Sequence, residues 1–386
     1  MSFNGHQPLV LYACYMPVFP ITNASNETEN GRIRYLLNKD VEHILALSPI
    51  WNPKYIPDFL SQRIIMPRQS SLLRKSKLFG RLYFNFFLLK ASHDMHRRGL
   101  KPILFFYGQD LIFVGVLIKI IFGFPYICYI GDSWLGIELS SIGFVDFKVR
   151  LLRTMEWFTS KVDKIILFNN VEKKGLVDKG FDNEMIDVIP PGRDNEFNLN
   201  RLADCELLSF LQGKFLVSYH GNMEFKHNYD GAINIITRIA PKILDAAPND
   251  VVFLIVGNGF DNVEKPSNII TMNFIPEKEK LMHILSLSSL YIVPIDTGAG
   301  VKGKLLDALS LGIPAIVTPH IMSQMVSRDS PLIVSEVDNM AEKILAMFKI
   351  SMNDYTSLKE RTHLYFSNNY SQKVYEKYIS IFQELL

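Results

Sequence analysis

Residues Tyr291–Thr318, YIVPIDTGAGVKGKLLDALSLGIPAIVT, decide how the chain is read. The apolar run Tyr291–Ile295 ends in a glycine-rich turn. A helical pattern then runs from Val301 to Leu311 with Gly312 as its stop, and the β-rich run Pro314–Val317 closes the unit. The order is strand, loop, helix, strand. Gly298-Ala299-Gly300-Val301-Lys302-Gly303 satisfies G-x-G-x-x-G, the dinucleotide fingerprint. That fingerprint needs an acidic residue about 20 positions on, after the next strand, to hold ribose hydroxyls. Thr318-Pro319-His320-Ile321-Met322-Ser323-Gln324 offers none, so a dinucleotide site is rejected. Lys302 and Lys304 at the helix start point elsewhere. Backbone N–H groups freed by glycines, the positive end of a helix and two ammonium groups make a site for a diphosphate. The same residues also fit a tight turn with its lysines in solvent, and the rest of the chain weighs for the first reading.

The 386 residues are too many for one ordinary core and imply two domains. Hydrophobic residues make up 48% of the chain and charged ones 21%, the balance of a folded globular protein. A net charge of +2 argues against a dedicated nucleic-acid binder. Cys14, Cys128 and Cys205 are widely spaced and match no metal or disulfide pattern, so no metal is expected and a reducing cytoplasm is the simplest home. The start, MSFNGHQPLVLYACYMPVFP, lacks a basic n-region and a long apolar core, and reads as a first strand rather than a signal peptide.

Apolar runs alternate with helical patterns almost throughout. Residues 9–14, 43–47, 102–107, 125–130 and 164–168 read as strands, with helical stretches at 31–39, 72–98, 111–122, 147–160 and 171–179. Such βα repetition predicts a parallel sheet covered by helices. Ile189-Pro190-Pro191-Gly192-Arg193-Asp194 interrupts the rhythm and is the best candidate linker. A second series follows at 215–219, 232–243, 251–256, 268–271, 277–287, 291–295, 301–311 and 314–317. The expected organisation is α/β: two doubly wound domains with a cleft between them, at 1–190 and 191–365. A C-terminal helix at 366–386 is expected to cross back to the first domain.

One segment invites a membrane reading. Leu111–Cys128, LIFVGVLIKIIFGFPYIC, approaches the length of a bilayer span, but Lys119, Gly123 and Pro125 break it and the βα rhythm continues on both sides. A buried helix and strand is favoured. Upstream, Arg63 to Lys119 carries eleven Lys and Arg against Asp94 and Asp110, interleaved with aromatic and aliphatic residues from Leu72 to Phe87. A basic, aromatic helix over residues 68–101 suits an anionic membrane surface; it equally suits a solvated helix packed on its own domain.

The second half supplies the chemistry. The strand Phe215–Tyr219 ends in His220-Gly221-Asn222-Met223-Glu224-Phe225-Lys226-His227-Asn228, where a bare glycine lets a phosphate approach the backbone and Lys226 can reach the same anion. Val256-Gly257-Asn258-Gly259 ends the following strand alike. Ligands in open α/β sheets sit beyond the carboxyl ends of the strands, so these loops and Gly298–Lys304 can face one pocket. Asp307, one turn into the helix, is suited to accept hydrogen bonds from sugar hydroxyls, or is an ordinary first-turn acid favoured by the helix dipole.

VIPPGRD (Val188–Asp194), YHGNMEFKHNYDGAINI (Tyr219–Ile235), FLIVGNG (Phe253–Gly259), NIITMNFIP (Asn268–Pro276) and DTGAGVKGKLLDALSLGIPAIVT (Asp296–Thr318) occur in the order and spacing of glycosyltransferases of the GT-B fold. The chain resembles glycosyltransferase family 4 over nearly all of the second domain and over the first only in outline. The resemblance implies two Rossmann-like domains facing across a cleft, a UDP- or GDP-linked sugar on the second, an acceptor on the first, and no further cofactor. It implies Lys226, Lys302 and Lys304 at the diphosphate, Phe274 and Ile275 at the base, and Asp307 at the ribose. Further donor contacts are implied for Gly221, Asn222, Gly257, Asn258, Gly298, Ala299, Gly300, Val301 and Leu305.

Two departures stand out. The family pairs glutamates eight apart, whereas the position eight before Asp307 is Ala299; some branches with a GAGVKGK-type loop share this. The family commonly has a histidine after the strand at 126–130, where Gly131-Asp132 stand here. Asp132 follows that strand directly and is expected either to hold or deprotonate an acceptor hydroxyl or to cap its own loop. Catalytic roles are expected for Asp132, Lys226 and Lys304, and acceptor contacts for Gly31, Arg32 and Asp132. The absence of D-x-D agrees with metal-independent stabilisation of a leaving diphosphate. The expected activity is transfer of a hexose, with retention, to a lipid-linked or polysaccharide acceptor of a cell-surface glycan such as lipopolysaccharide, at the cytoplasmic membrane face. The alternatives are a GT-B nucleotide-sugar epimerase and a non-catalytic assembly partner.

Overall fold

The computed structural model describes residues 8–15, 24–39, 41–48, 63–67, 77–108, 111–130, 157–193, 213–247, 250–260, 262–298 and 300–386. They fall in two compact units, Met1–Gly192 with Val374–Leu386, and Arg193–Lys373.

Unit 1 alternates β1 (Leu9–Cys14), α1 (Ala24–Asn38), β2 (Glu42–Leu47), β3 (Ile64–Ile65), α2 (Lys77–Arg97), β4 (Ile103–Tyr107), α3 (Ile112–Phe122), β5 (Tyr126–Tyr129), β6 (Lys164–Leu167), α4 (Asn170–Val177) and β7 (Ile186–Val188). The strands form one parallel sheet in the order β3-β2-β1-β4-β5-β6-β7. Leu11 of β1 stands beside Ile44 on one side and Leu104 on the other. All six residues of β1 are buried, which is why it reads as an unbroken apolar run: helices cover both faces.

The apolar stretch after residue 110 is a helix and a strand, as favoured. Gly123, in the left-handed region at φ 70°, ends α3 and donates its N–H to the Lys119 carbonyl at 2.8 Å. The Lys119 ammonium reaches Asp163 at 2.8 Å. A Cβ on Gly115 would stand 2.3 Å from the Tyr126 ring, so only glycine lets α3 lie this close to β5. Among the described residues, no helix is long and apolar enough to cross a membrane.

Unit 2 repeats the plan with β8 (Phe215–His220), α5 (Lys226–Asn234), α6 (Ala240–Ala246), β9 (Val251–Val256), β10 (Ile269–Met272), α7 (Lys278–Ser286), β11 (Leu290–Val293), α8 (Gly303–Ser310), β12 (Ala315–Val317), α9 (Pro319–Ser323), β13 (Ile333–Val334), α10 (Met340–Phe348) and α11 (Met352–Asn369). Its parallel strands run β10-β9-β8-β11-β12-β13. A π-helical turn, Ile235–Ile239, joins α5 to α6 just before Pro241, whose missing N–H cannot continue the α ladder. The expected boundary at residue 365 falls inside α11. That helix runs on because Tyr365 and Phe366 are buried in the core of unit 2.

The chain then returns to unit 1 as α12 (Glu376–Glu384). Tyr378 and Phe382 pack on the Phe105 ring of β4 at 5.3 and 5.7 Å between centroids. The architecture is the expected one, two Rossmann-like, doubly wound α/β units.

Candidate functional site

In unit 2 the strand order turns between β8 and β11, so the loops leaving these neighbours diverge and open a crevice at the carboxyl edge of the sheet. Gly298 and Gly300, after β11, take φ 91° and 77°, which side chains disfavour. After β8, Gly221 lies under the Lys304 ammonium, where an added Cβ would stand 2.6 Å from Nζ. A Cβ on Gly257, at the end of β9, would meet the Gly221 carbonyl at 2.7 Å. These glycines let three loops converge on bare backbone.

Lys304 is the centre of the cluster. Its Nζ donates to Asn228 Oδ1 at 2.7 Å and to Tyr219 Oη at 2.9 Å, and lies 4.3 Å from the centroid of the Tyr219 ring. These partners are neutral. Burial, then Lys302, hold the Lys304 ammonium well below its usual pKa. The Lys302 ammonium would stand 3.1 Å from a Cβ on Gly298, and the His227 ring 3.6 Å. Burial, then Lys302 and Lys304, push His227 down to about 4. The cluster is thus electropositive.

Backbone donors add to it. Helices α5, α7 and α8 begin without a side-chain cap, whereas α4, α9 and α11 are capped by Asn169, Thr318 and Ser351. The first N–H groups of α5 and α8 therefore keep hydrogen bonds to offer an anion. His320, in α9, holds the Gly298 carbonyl at 2.7 Å and so braces the turn after β11.

Several expected residues behave otherwise. Asp307 is not an open acceptor for sugar hydroxyls. It is buried, with Oδ1 2.7 Å from Lys278 Nζ, Oδ2 3.3 Å from His220 Nε2, and Arg193 Nε at 4.0 Å. Burial would raise this carboxyl, but Lys278, then His220 and Arg193, hold it well below the usual carboxylate range. Burial keeps His220 neutral, and one tautomer satisfies it: Nε2–H donates to Asp307 while Nδ1 accepts from Tyr291 Oη at 3.0 Å. Lys226 is largely exposed and pairs with Asp230 at 2.6 Å rather than joining Lys304. One turn of α5 directs it to this local carboxylate.

The expected base contacts divide. Phe274 is exposed, with its N–H held by Asn258 Oδ1 at 2.8 Å, whereas Ile275 packs into the core with Val256 and Ile284. Leu305 is also a core residue and Val301 lies at the core's edge, so the main chain is what they present. Asn222 accepts from the Glu224 N–H at 3.0 Å, and its carbonyl takes Asn228 Nδ2 at 2.8 Å, which fixes the loop after β8.

In unit 1, Arg32 is fully buried and ion-paired with Glu29. Its guanidinium stacks over Tyr12, Phe105, Tyr129 and Tyr378 at 4.4 to 5.5 Å. The expected acceptor contact at Arg32 is corrected on that ground. Gly31 faces the Tyr375 ring. Asp132, Ala299 and residues 68–76 lie outside the described residues.

Residues 214–349 match the family model described as Glycosyl transferases group 1. A Klebsiella pneumoniae protein described as an uncharacterised 44.6 kDa protein in the cps region is 25% identical over 217 residues. That match covers 52% of this chain and 50% of that protein, so the chain spans about half the length of this curated relative. A glycosyltransferase from Rickettsia africae superposes with a TM-score of 0.71 at 13% identity, covering 98% of this chain and 99% of that one. Anabaena HepE in complex with UDP-glucose gives 0.62 at 13% identity, over 98% and 100%. An α,α-trehalose 6-phosphate synthase from Burkholderia multivorans gives 0.68 at 10% identity, over 98% and 97%. At these identities the likeness is one of fold.

Proposed function

Residues 214–349 belong to the glycosyl transferases group 1, and from that premise we propose that the protein moves a hexose from a nucleotide-sugar donor to a lipid-linked or polysaccharide acceptor in cell-surface glycan synthesis. The observation that carries the reading is the buried Lys304 ammonium, depressed by burial and Lys302 and bonded only to neutral partners among the described residues. A diphosphate against it would supply the missing charge. The relative in a cps region and the UDP-glucose complex of the Anabaena protein support a glycan pathway and a UDP-linked donor.

In this reading the bond from the anomeric carbon to the diphosphate oxygen breaks, and the acceptor oxygen forms the new bond at that carbon with retention. The acceptor proton passes to the released nucleoside diphosphate where Asp132 only holds the hydroxyl, or to Asp132 and then to solvent where Asp132 is the base. Lys302, Lys304 and the uncapped starts of α5 and α8 meet the charge developing on the leaving oxygen, a kind of stabilisation worth roughly 3–4 kcal/mol per well-aimed donor. No metal takes part in this scheme. The donor base rests by Phe274, and Asp132 holds or deprotonates the acceptor hydroxyl at the inner membrane face. His220, Lys278 and Arg193 keep Asp307 ionised beneath the diphosphate, a positioning role rather than a contact with substrate.

The test incubates the purified protein with UDP- and GDP-sugars, with and without membrane lipid, and follows nucleotide release. Acceptor-dependent release supports transfer; interconversion of the sugar without release identifies an epimerase; neither reaction with any donor identifies an assembly partner. Calorimetry with UDP adds a binding arm, in which Lys302→Ala and Lys304→Ala each weaken binding by about 1.5–3 kcal/mol as a charge-assisted hydrogen bond is lost. Unchanged affinity in both variants sinks the diphosphate assignment. For Asp132, the conservative Asp132→Asn variant separates the roles: a group that handles the acceptor loses turnover with UDP affinity intact, by about 10²–10⁴-fold for a general base.

A further inference from the structure

Lys226 and His227 open α5 side by side and face different ways. The Lys226 side chain is tied to Asp230, whereas the His227 ring turns toward the loop after β11. The open side of Gly298 is bordered by that ring and by the Lys302 ammonium: a Cβ there would stand 3.6 Å from His227 Cγ and 3.1 Å from Lys302 Nζ. Three elements thus supply this corner, with α5 giving the imidazole, the turn after β11 bare backbone, and the start of α8 the ammonium. The exposed Phe225 ring stacks on the imidazole at 5.9 Å between centroids and 26° between planes, which fixes the ring's plane. Among the described residues neither ring nitrogen of His227 takes a hydrogen bond. Its main-chain N–H is one of the donors that the uncapped start of α5 leaves without a helical partner. A half-buried imidazole with both nitrogens open beside two ammonium groups has the chemistry to meet an anion.

We propose that His227 is a donor-binding residue whose ring meets a diphosphate oxygen beside Lys302 and the Gly298 turn, and that the ring takes up a proton when the donor arrives. This contact rests on the nucleotide-sugar reading of the site and adds a bound proton to it. The result is a cation made on demand. In the empty site burial, then the ammonium groups of Lys302 and Lys304, hold the ring down to about 4, with Asp230 opposing them. At neutral pH the ring is therefore uncharged and adds nothing to the repulsion between the two lysines. A diphosphate cancels those lysines and lets the ring titrate near the ordinary value of about 6.5, so donor and proton bind together. The other titratable groups nearby have partners of their own. Asp230 is engaged by Lys226, His320 donates to the Gly298 carbonyl, and buried His220 is held neutral against Asp307. A sugar nucleotide is the probe to use, because its doubly esterified diphosphate has no proton titrating at about pH 6, as the terminal phosphate of free UDP does.

The experiment measures binding of UDP-glucose, and of GDP-mannose as a second probe, to the full chain by calorimetry between about pH 5.5 and about pH 7.5. With the ring at about 4 when empty and about 6.5 when occupied, wild type should bind about tenfold tighter at the acid end. His227→Asn keeps a hydrogen-bond donor without a titrating ring, so it should hold the affinity at the alkaline end and lose the slope. His227→Ala should lose the slope and also bind about fivefold more weakly at the alkaline end, as a neutral hydrogen bond goes. His320→Asn should keep the slope. Without ligand the His227 variants should melt with wild type, because the ring makes no hydrogen bond there among the described residues. A wild type that binds a probe without a slope, or a slope that survives His227→Asn, overturns the proposal and leaves the donor reading standing. Full affinity of His227→Ala at the alkaline end also overturns it, since the ring then senses the anion without touching it. Binding of neither probe at any pH fells the donor reading itself, and this contact with it.

Discussion

His227 reports the charge state of the candidate site. Its pKa of about 4 arises from burial, then from Lys302 and Lys304. An anion on those two lysines reverses their effect, so saturating UDP should raise the His227 pKa toward the ordinary 6.5, as read from its ring signals in an NMR titration. An unmoved pKa would show that the diphosphate does not sit on this cluster. The sign of the stability effect follows: the unfolded chain takes up a proton near pH 6.5, the folded one only near 4, so acidification through that window destabilises the protein unless an anion is bound. Arg32 makes the opposite case, a charged residue whose work is internal. Removing it leaves the buried Glu29 carboxylate without its cation and with only the Tyr12 hydroxyl donating to it, a loss of about 3–5 kcal/mol, so Arg32→Met should lower denaturant resistance by that order while UDP affinity is unchanged. A variant with full stability and a lost acceptor dependence would restore the expected acceptor role.

Among elements, the loop after β8 and the start of α8 are matched through one glycine. Gly221→Ala adds a methyl group where the Lys304 ammonium lies, and the ammonium can swing away more easily than the strand can move. UDP binding should weaken by about tenfold, roughly 1.4 kcal/mol, with β8 still formed in circular dichroism; undiminished binding would mean that Lys304 adapts and does not hold the ligand. This turn was legible in the sequence because its glycines and lysines are local signals. So were the long central strands, whose residues are apolar throughout once both sheet faces are covered. The strands β3 and β13 are two residues long and β7 three, too short for any periodicity to mark them. Partners far apart in sequence were equally silent: Lys278 meets Asp307 across 29 positions and His320 reaches Gly298 across 22. Asp307 illustrates this, since its helix position alone does not reveal the cations folded around it.

At the scale of the molecule, every residue of the cationic cluster, together with the Asp307 network, comes from the single stretch 193–373. That stretch has its own core on both faces of its sheet. Its two ends meet: the Arg193 N–H donates to the Tyr370 carbonyl at 2.7 Å, and Arg193 bridges to Ser371. A segment whose termini adjoin and whose apolar surface is internally buried is a self-contained folding unit. Residues 193–373 expressed alone should therefore fold cooperatively and bind UDP within about threefold of the full chain, a difference under 1 kcal/mol. Transfer should vanish, because the proposed acceptor site lies in unit 1. Calorimetry on the isolated unit decides the matter. If it folds, by circular dichroism and a sharp melting transition, yet fails to bind UDP, then the donor site needs residues of unit 1 and the cluster around Lys304 is only part of it.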